Sequence, residues 1–381
     1  MTVGDSTRRR SGIAVTVRSV LLGAALVIVA TLASLFVLEG AASLGLVALD
    51  VLTTRTPALR PNTRSDSLLA WAGKPAYHNA NAFGAGVGLS TDDAGRRITP
   101  SAGLAPGSGP AELVCSGDSY VLGLGVDDEH PWCAVLERYF TGLRTLNMGQ
   151  LDYGVDQSFL WYRRDGASIS PRAHVFAVTA TALERAASDV YLGRNKPYLT
   201  VENDRVTVGN LPLAHQSAWE LRRAAMRRAL DELQIMRLVR RRPAFDRAKL
   251  TSAQVDERWP VLERMLDELA ALDKSRGVTL VLAYLPSSRD RRPSHLDVWR
   301  DTLAAYAARG HVPLVDLTRD LRALRPDSAD IAFISSPAGG PVQFGGQYSN
   351  VGHAWVARTL ASRLPAVMDA PRLLGAPSTA R

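Results

Sequence analysis

The residues in this chain best suited to do chemistry stand in Ser116-Gly-Asp-Ser119, directly after the apolar run Leu113-Val-Cys115. An apolar run of that length reads as a buried strand, and the small polar residues after it read as a tight turn. Open α/β sheets place ligands at the carboxyl ends of their strands, so Ser119 is positioned as a candidate nucleophile. A serine needs a proton acceptor and donors for a developing oxyanion, and the rest of the chain must supply both. Gly123 and Gly125 follow at points where the backbone passes close to something. His353, on the first turn of a C-terminal helix, has the right titration range for a base. A helix-start histidine with no catalytic task is the other reading of it. His78, His130, His174, His215, His295 and His311 have no motif around them and default to surface or core roles.

The elements that must position these residues alternate. Strands are expected at 112–116, 144–148, 175–178, 279–284 and 312–316, with helices at 131–140, 156–164, 294–308 and 352–364. That pattern predicts an α/β fold: a doubly wound parallel sheet of about five strands between two helical layers, α/β/α. An insertion over about 190–275 interrupts it. Tyr198–Glu202 and Arg205–Gly209, joined by Asn203-Asp204, predict a hairpin, and amphipathic helices are expected over 217–242 and 252–273.

Ser19–Leu38 is twenty residues without a charge, about 30 Å as a helix and long enough to cross a hydrocarbon core. Arg8, Arg9, Arg10 and Arg18 precede it, which holds the N-terminus in the cytoplasm. The chain then divides into a basic N-terminus (1–18), a transmembrane anchor (19–38), an extracytoplasmic stalk (39–110), an α/β domain (111–366) and a tail (367–381). Gly40-Ala-Ala-Ser43 is also compatible with cleavage of a signal peptide. The domain is expected outside the cytoplasmic membrane, on the periplasmic or cell-surface side.

The net charge of +8 is concentrated in Arg8–Arg10 and the Arg-rich 222–247 stretch, without interleaved aromatics, which argues against nucleic-acid binding. No His, Cys or Asp cluster has metal-ligand spacing, and no glycine loop leads into Lys-Ser/Thr, so neither metal nor cofactor is expected. The two cysteines, Cys115 and Cys133, read as buried thiols, a disulfide being the alternative.

Taken together, Gly117-Asp118-Ser119, Asn147-Met-Gly149 and Tyr153-Gly-Val-Asp-Gln157 resemble the blocks of the SGNH (GDSL) hydrolase family, in its membrane-anchored bacterial form. Lys196-Pro-Tyr198 through Asn210-Leu-Pro212 resembles an insert of that group. The resemblance implies Ser119 as nucleophile, with Asp118 beside it and the Gly149 amide helping to form the oxyanion hole. Two blocks depart from the family pattern. Thr179-Ala-Thr181-Ala stands where the family has an asparagine donor, leaving the Thr181 hydroxyl as the substitute. Gly345 and Gln347 occupy the slots of the family's aspartate and histidine. Glutamine takes up no proton near neutral pH. The expected function is an esterase or acyltransferase acting on an O-acyl ester, with a surface glycan as one substrate class. A catalytically inactive relative that binds or scaffolds is the alternative.

Overall fold

A computed structural model describes residues 22–34, 37–38, 40–41, 60–99, 113–211, 247–335 and 345–369, apart from scattered positions within these ranges. The chain forms two compact units. In the unit of Met1–Thr56 with Gln216–Phe245, the described residues are helical and exposed. No helix among the described residues is long and apolar enough to cross a membrane, and the expected anchor at 19–38 lies partly outside them. The helix expected at 217–242 also lies outside the described residues.

The α/β architecture belongs to the unit of Pro57–His215 with Asp246–Arg381. Five parallel strands build its sheet: β1 (Leu113–Gly117), β2 (Thr145–Gly149), β3 (Ala173–Val178), β4 (Thr279–Tyr284) and β5 (Leu314–Asp316). Their spatial order is β5-β4-β3-β1-β2. Each central strand is buried on both sides and mostly apolar, as a sheet covered on both faces requires.

Alternation along the strands separates two cores. Val114, Phe176, Leu280 and Leu282 point to one face, where α3 (Val155–Asp165), α5 (Arg247–Ser275) and α6 (Asp297–Gly310) bury Phe159, Leu262, Leu269, Trp299 and Leu303. Leu113, Cys115, Val175 and Val281 point to the other, against α2 (Trp132–Leu136) and α9 (Asn350–Val367) with Trp132, Trp355, Val356 and Leu360. Burying each such side chain contributes about 1.5–3 kcal/mol. The handedness rule explains the division. The β1-to-β2 connection runs toward one sheet edge and places α2 on one face. The connections into β3, β4 and β5 run the other way, and right-handed crossovers put their helices on the opposite face.

Three sequence expectations change. Cys115 on β1 and Cys133 on α2 are joined in a disulfide, not free thiols, with Cα atoms 6.3 Å apart. Closing that 18-residue separation removes unfolded-state entropy equivalent to about 3 kcal/mol. Residues 60–99, read as a loosely packed stalk, are built into the domain. The Trp71 indole donates to the Leu151 carbonyl (2.9 Å), Gln157 Nε2 donates to the Leu69 carbonyl (2.8 Å), and Arg97 is buried with five hydrogen bonds. A helix not expected from periodicity, α4 (Ala180–Ala186), follows β3. The hairpin at Leu199–Glu202 and Arg205–Val208 forms as expected, with Asn203 and Asp204 both left-handed, as a type I′ turn requires.

Candidate active site

The chain leaves β1 toward β2 and leaves β3 toward β4, so the crevice between β1 and β3 is the topological switch point of the sheet. Ser119 stands at its mouth, at the first position of the single-turn helix α1 (Ser119–Leu122). Gly117, with φ of 156°, makes the sharp turn out of β1; a Cβ there would lie 2.8 Å from the Ala177 carbonyl oxygen. Gly123 ends α1 in a left-handed conformation, with Pro131 and Arg97 too close to admit a side chain.

Asp118 does not face a substrate. Its Oδ1 accepts the Tyr120 amide (3.0 Å), and its Oδ2 accepts the Thr179 hydroxyl (2.9 Å) and the Arg185 guanidinium (3.2 Å). The aspartate thus caps α1 and bridges the switch point. Arg185 also donates to the Tyr153 carbonyl (2.8 Å), tying the loop after β2 to the loop after β1. Burial pulls the Arg185 pKa down, but Asp118, Tyr191 and Asp152 around it together outweigh that cost and raise it. Thr181 is not a free donor aimed at the cleft: its hydroxyl lies 3.2 Å from that of Thr179, which also caps α4.

Gly149 sits beside the nucleophile turn, opposite Gly117 in the parallel ladder. Its amide is already taken, donating to Asn147 Oδ1 at 2.9 Å. Packing explains the glycine instead. A Cβ at 149 would lie 2.1 Å from the Leu122 nitrogen, so α1 rests directly on its α-carbon. The unengaged donor lies three residues on. Asp152 holds a left-handed backbone (φ 61°), and its N–H has no acceptor among the described residues. The 150–152 turn is fixed against the nucleophile turn by Gln150 N–H donating to the Gly117 carbonyl (3.1 Å). A left-handed aspartate carries no sequence signature distinct from an ordinary turn, which is why sequence reasoning passed over it.

The base side differs. His353 is 1% exposed, and its Nδ1 accepts the Trp132 amide at 3.1 Å. That bond fixes the neutral tautomer with hydrogen on Nε2 and occupies the basic lone pair. Burial, with Arg97 and His130 nearby, pushes its pKa down to about 3. The geometry therefore gives His353 a structural task, holding α9 to the start of α2. Gln347 lies on the loop before α9. The Tyr120 hydroxyl donates to the Gly346 carbonyl (2.8 Å), so this loop rests on the residue next to Ser119. Ser119 Oγ and Gln347 Oε1 are both buried, and neither has a hydrogen-bond partner. Among the described residues no group of three or more His, Cys, Asp or Glu is placed to hold a metal.

No protein-family profile matches this chain, and no curated protein matches it. Solved structures do match, and two of them carry names as lipolytic proteins of the G-D-S-L family. One is a G-D-S-L family lipolytic protein from Desulfitobacterium hafniense DCB-2, at 14% identity, covering 68% of this chain and 99% of that one, with a TM-score of 0.34. A lipase/acylhydrolase from Enterococcus faecalis matches at 15% identity over 67% of this chain and 96% of its own, with a TM-score of 0.36. TesA matches at 12% identity over 68% and 99%, with a TM-score of 0.38. At that degree of likeness, the matches assign neither activity nor substrate to this chain.

Proposed function

We propose that the Ser119 cleft recognises an acyl group, holding its carbonyl at the nucleophile turn, and that it acts as a binding site without rapid ester turnover. The observation that carries this reading is the state of the two groups on the base side. Gln347 cannot accept the serine proton, and the lone pair of His353 is spent on Trp132. On the other side, the Ser119 hydroxyl remains free to hold a carbonyl oxygen. A second reading, hydrolysis or transfer of an O-acyl ester with a surface glycan as one substrate, is favoured by the buried Ser119 hydroxyl without a partner at the switch point.

One experiment separates them. Wild type should turn over p-nitrophenyl acetate no faster than Ser119→Ala. The double change Gly345→Asp with Gln347→His should create Ser119-dependent hydrolysis, about a hundredfold above wild type, the lower range for a positioned general base. Serine-dependent turnover by wild type would replace the binding reading with the hydrolase reading.

We also propose that the chain is held at a membrane by its N-terminal segment, with the α/β unit on the extracytoplasmic side. Leu22, Leu26, Ile28 and Leu32 are 59–73% exposed, an apolar surface that water disfavours and lipid would cover. The Cys115–Cys133 disulfide suits an oxidising compartment. Removing residues 1–45 should move the protein from the membrane fraction to the soluble fraction; retention in the membrane would refute the anchor.

A further inference from the structure

A helix leaves its last turn of carbonyls without partners inside itself, and α1 consists of one turn only. Side chains from three other segments meet those carbonyls. Tyr120 C=O accepts from the Trp132 indole (3.1 Å) and Val121 C=O from Asn147 Nδ2 (2.8 Å). Leu122 C=O and Gly123 C=O both accept from Arg97 Nη1, at 2.8 and 2.6 Å. Within the turn, the Gly123 and Leu124 amides donate to the Ser119 carbonyl (3.1 and 3.2 Å). A continuous path of hydrogen bonds therefore runs from the Arg97 guanidinium to Ser119.

Arg97 serves that path more than its own segment. Nη2 donates to the Val126 carbonyl just past α1 (2.7 Å) and to the Gly88 carbonyl (3.2 Å), and Nε donates to Asp128 (2.9 Å). All five N–H donors of the fork are used, which a lysine with three could not match. The side chain is fully buried, and a buried cation is tolerated only where charge and hydrogen bonds meet it. The turn is shaped around it: a Cβ on the left-handed Gly123 would lie 3.0 Å from Arg97 Nη1. We infer that Arg97 is a positioning residue of the Ser119 site, holding α1 by its carbonyl end and so making the segment that carries it part of the site. This concerns where Ser119 is held, and stands whether the cleft binds an acyl group or hydrolyses an ester. On the other side of the cleft, the same cation adds to burial in disfavouring a protonated His353.

The test is native-state hydrogen exchange, read by NMR on the full-length protein in detergent micelles. In Arg97→Met, the Gly123 and Leu124 amides should exchange about tenfold or more faster than in wild type, while the β3 amides of Val175–Val178 keep their protection. Arg97→Lys, which keeps a cation with fewer donors, should fall between the two. The Ser119 Cβ resonance, identified by its loss in Ser119→Ala, should shift in Arg97→Met. Tyr162→Phe breaks a buried bond to Asp273 in the other core, so it lowers stability without touching α1 and should leave both readouts unchanged. Equal acceleration of α1 and β3 in Arg97→Met, or an unmoved Ser119 resonance, would reduce Arg97 to general support and overturn the inference. Should Arg97→Met not fold, wild type in low denaturant decides. The Gly123 and Leu124 amides should then open together with those of Thr91 and Ile98 in the segment around Arg97, before global unfolding. Amides of α1 that stay protected after Thr91 and Ile98 have exchanged overturn it as well.

Discussion

The two sides of the cleft are built differently. On the side of β1, β2 and β3, the site is made mostly of backbone: the turn at Gly117, the α1 seat on Gly149 and the left-handed Asp152, locked by the Asp118–Thr179–Arg185 contacts. On the side of the 345–353 loop, the chemistry depends on two side chains, and here they are Gln347 and a His353 whose lone pair is in use. The backbone half cannot be altered without disturbing the packing of the sheet. The side-chain half can lose its proton-handling groups while the fold stays intact, because Tyr348 and His353 still anchor the loop and helix through the Pro286 carbonyl and the Trp132 amide.

That contrast makes graded predictions. The largest effect belongs to Gly149→Ala, where a methyl would lie 2.1 Å from a backbone nitrogen of α1. It should cost about 3 kcal/mol or more, read as the loss in denaturant midpoint. A change near zero would mean that α1 is not seated as described.

Next comes His353. Its folded-state pKa, pushed down to about 3, lies below the ordinary value near 6.5, so the unfolded chain binds the extra proton first. Stability is fully present above about pH 6.5 and falls as the pH drops from there toward 3, by up to about 1.4 kcal/mol per unit from this group. His353→Asn, which keeps an acceptor for the Trp132 amide, should flatten that part of the stability profile. An unchanged profile would place the acid sensitivity elsewhere.

The smallest effect separates the two threonines after β3. Thr179→Val removes a cap and the bond to Asp118 and should cost about 1–2 kcal/mol. Thr181→Val, half-buried and bonded only to its neighbour, should cost about 0.5 kcal/mol or less. Equal losses would show that Asp118 does not depend on Thr179.

The sequence by itself determined the layered alternation. Apolar runs such as Val175–Val178 and Thr279–Tyr284 are strands because a strand covered on both faces has no polar side to show. It also placed Ser119 at a strand end and the hairpin at Asn203-Asp204, since these depend on local pattern and residue type alone, whereas the reading of Gln347 came through the resemblance to the family blocks. Only the tertiary structure decided the rest. Cys115 and Cys133 become a disulfide because β1 and α2 meet across one face of the sheet. The Gly149 amide is closed by the Asn147 side chain, which also reaches the Val121 carbonyl of α1. His353 changes from a candidate base to a structural acceptor because α9 packs against α2, bringing together residues 221 positions apart. The disulfide and the Trp132–His353 bond are contacts between elements distant in sequence, and no local pattern encodes which partner such an atom will meet once the chain has folded.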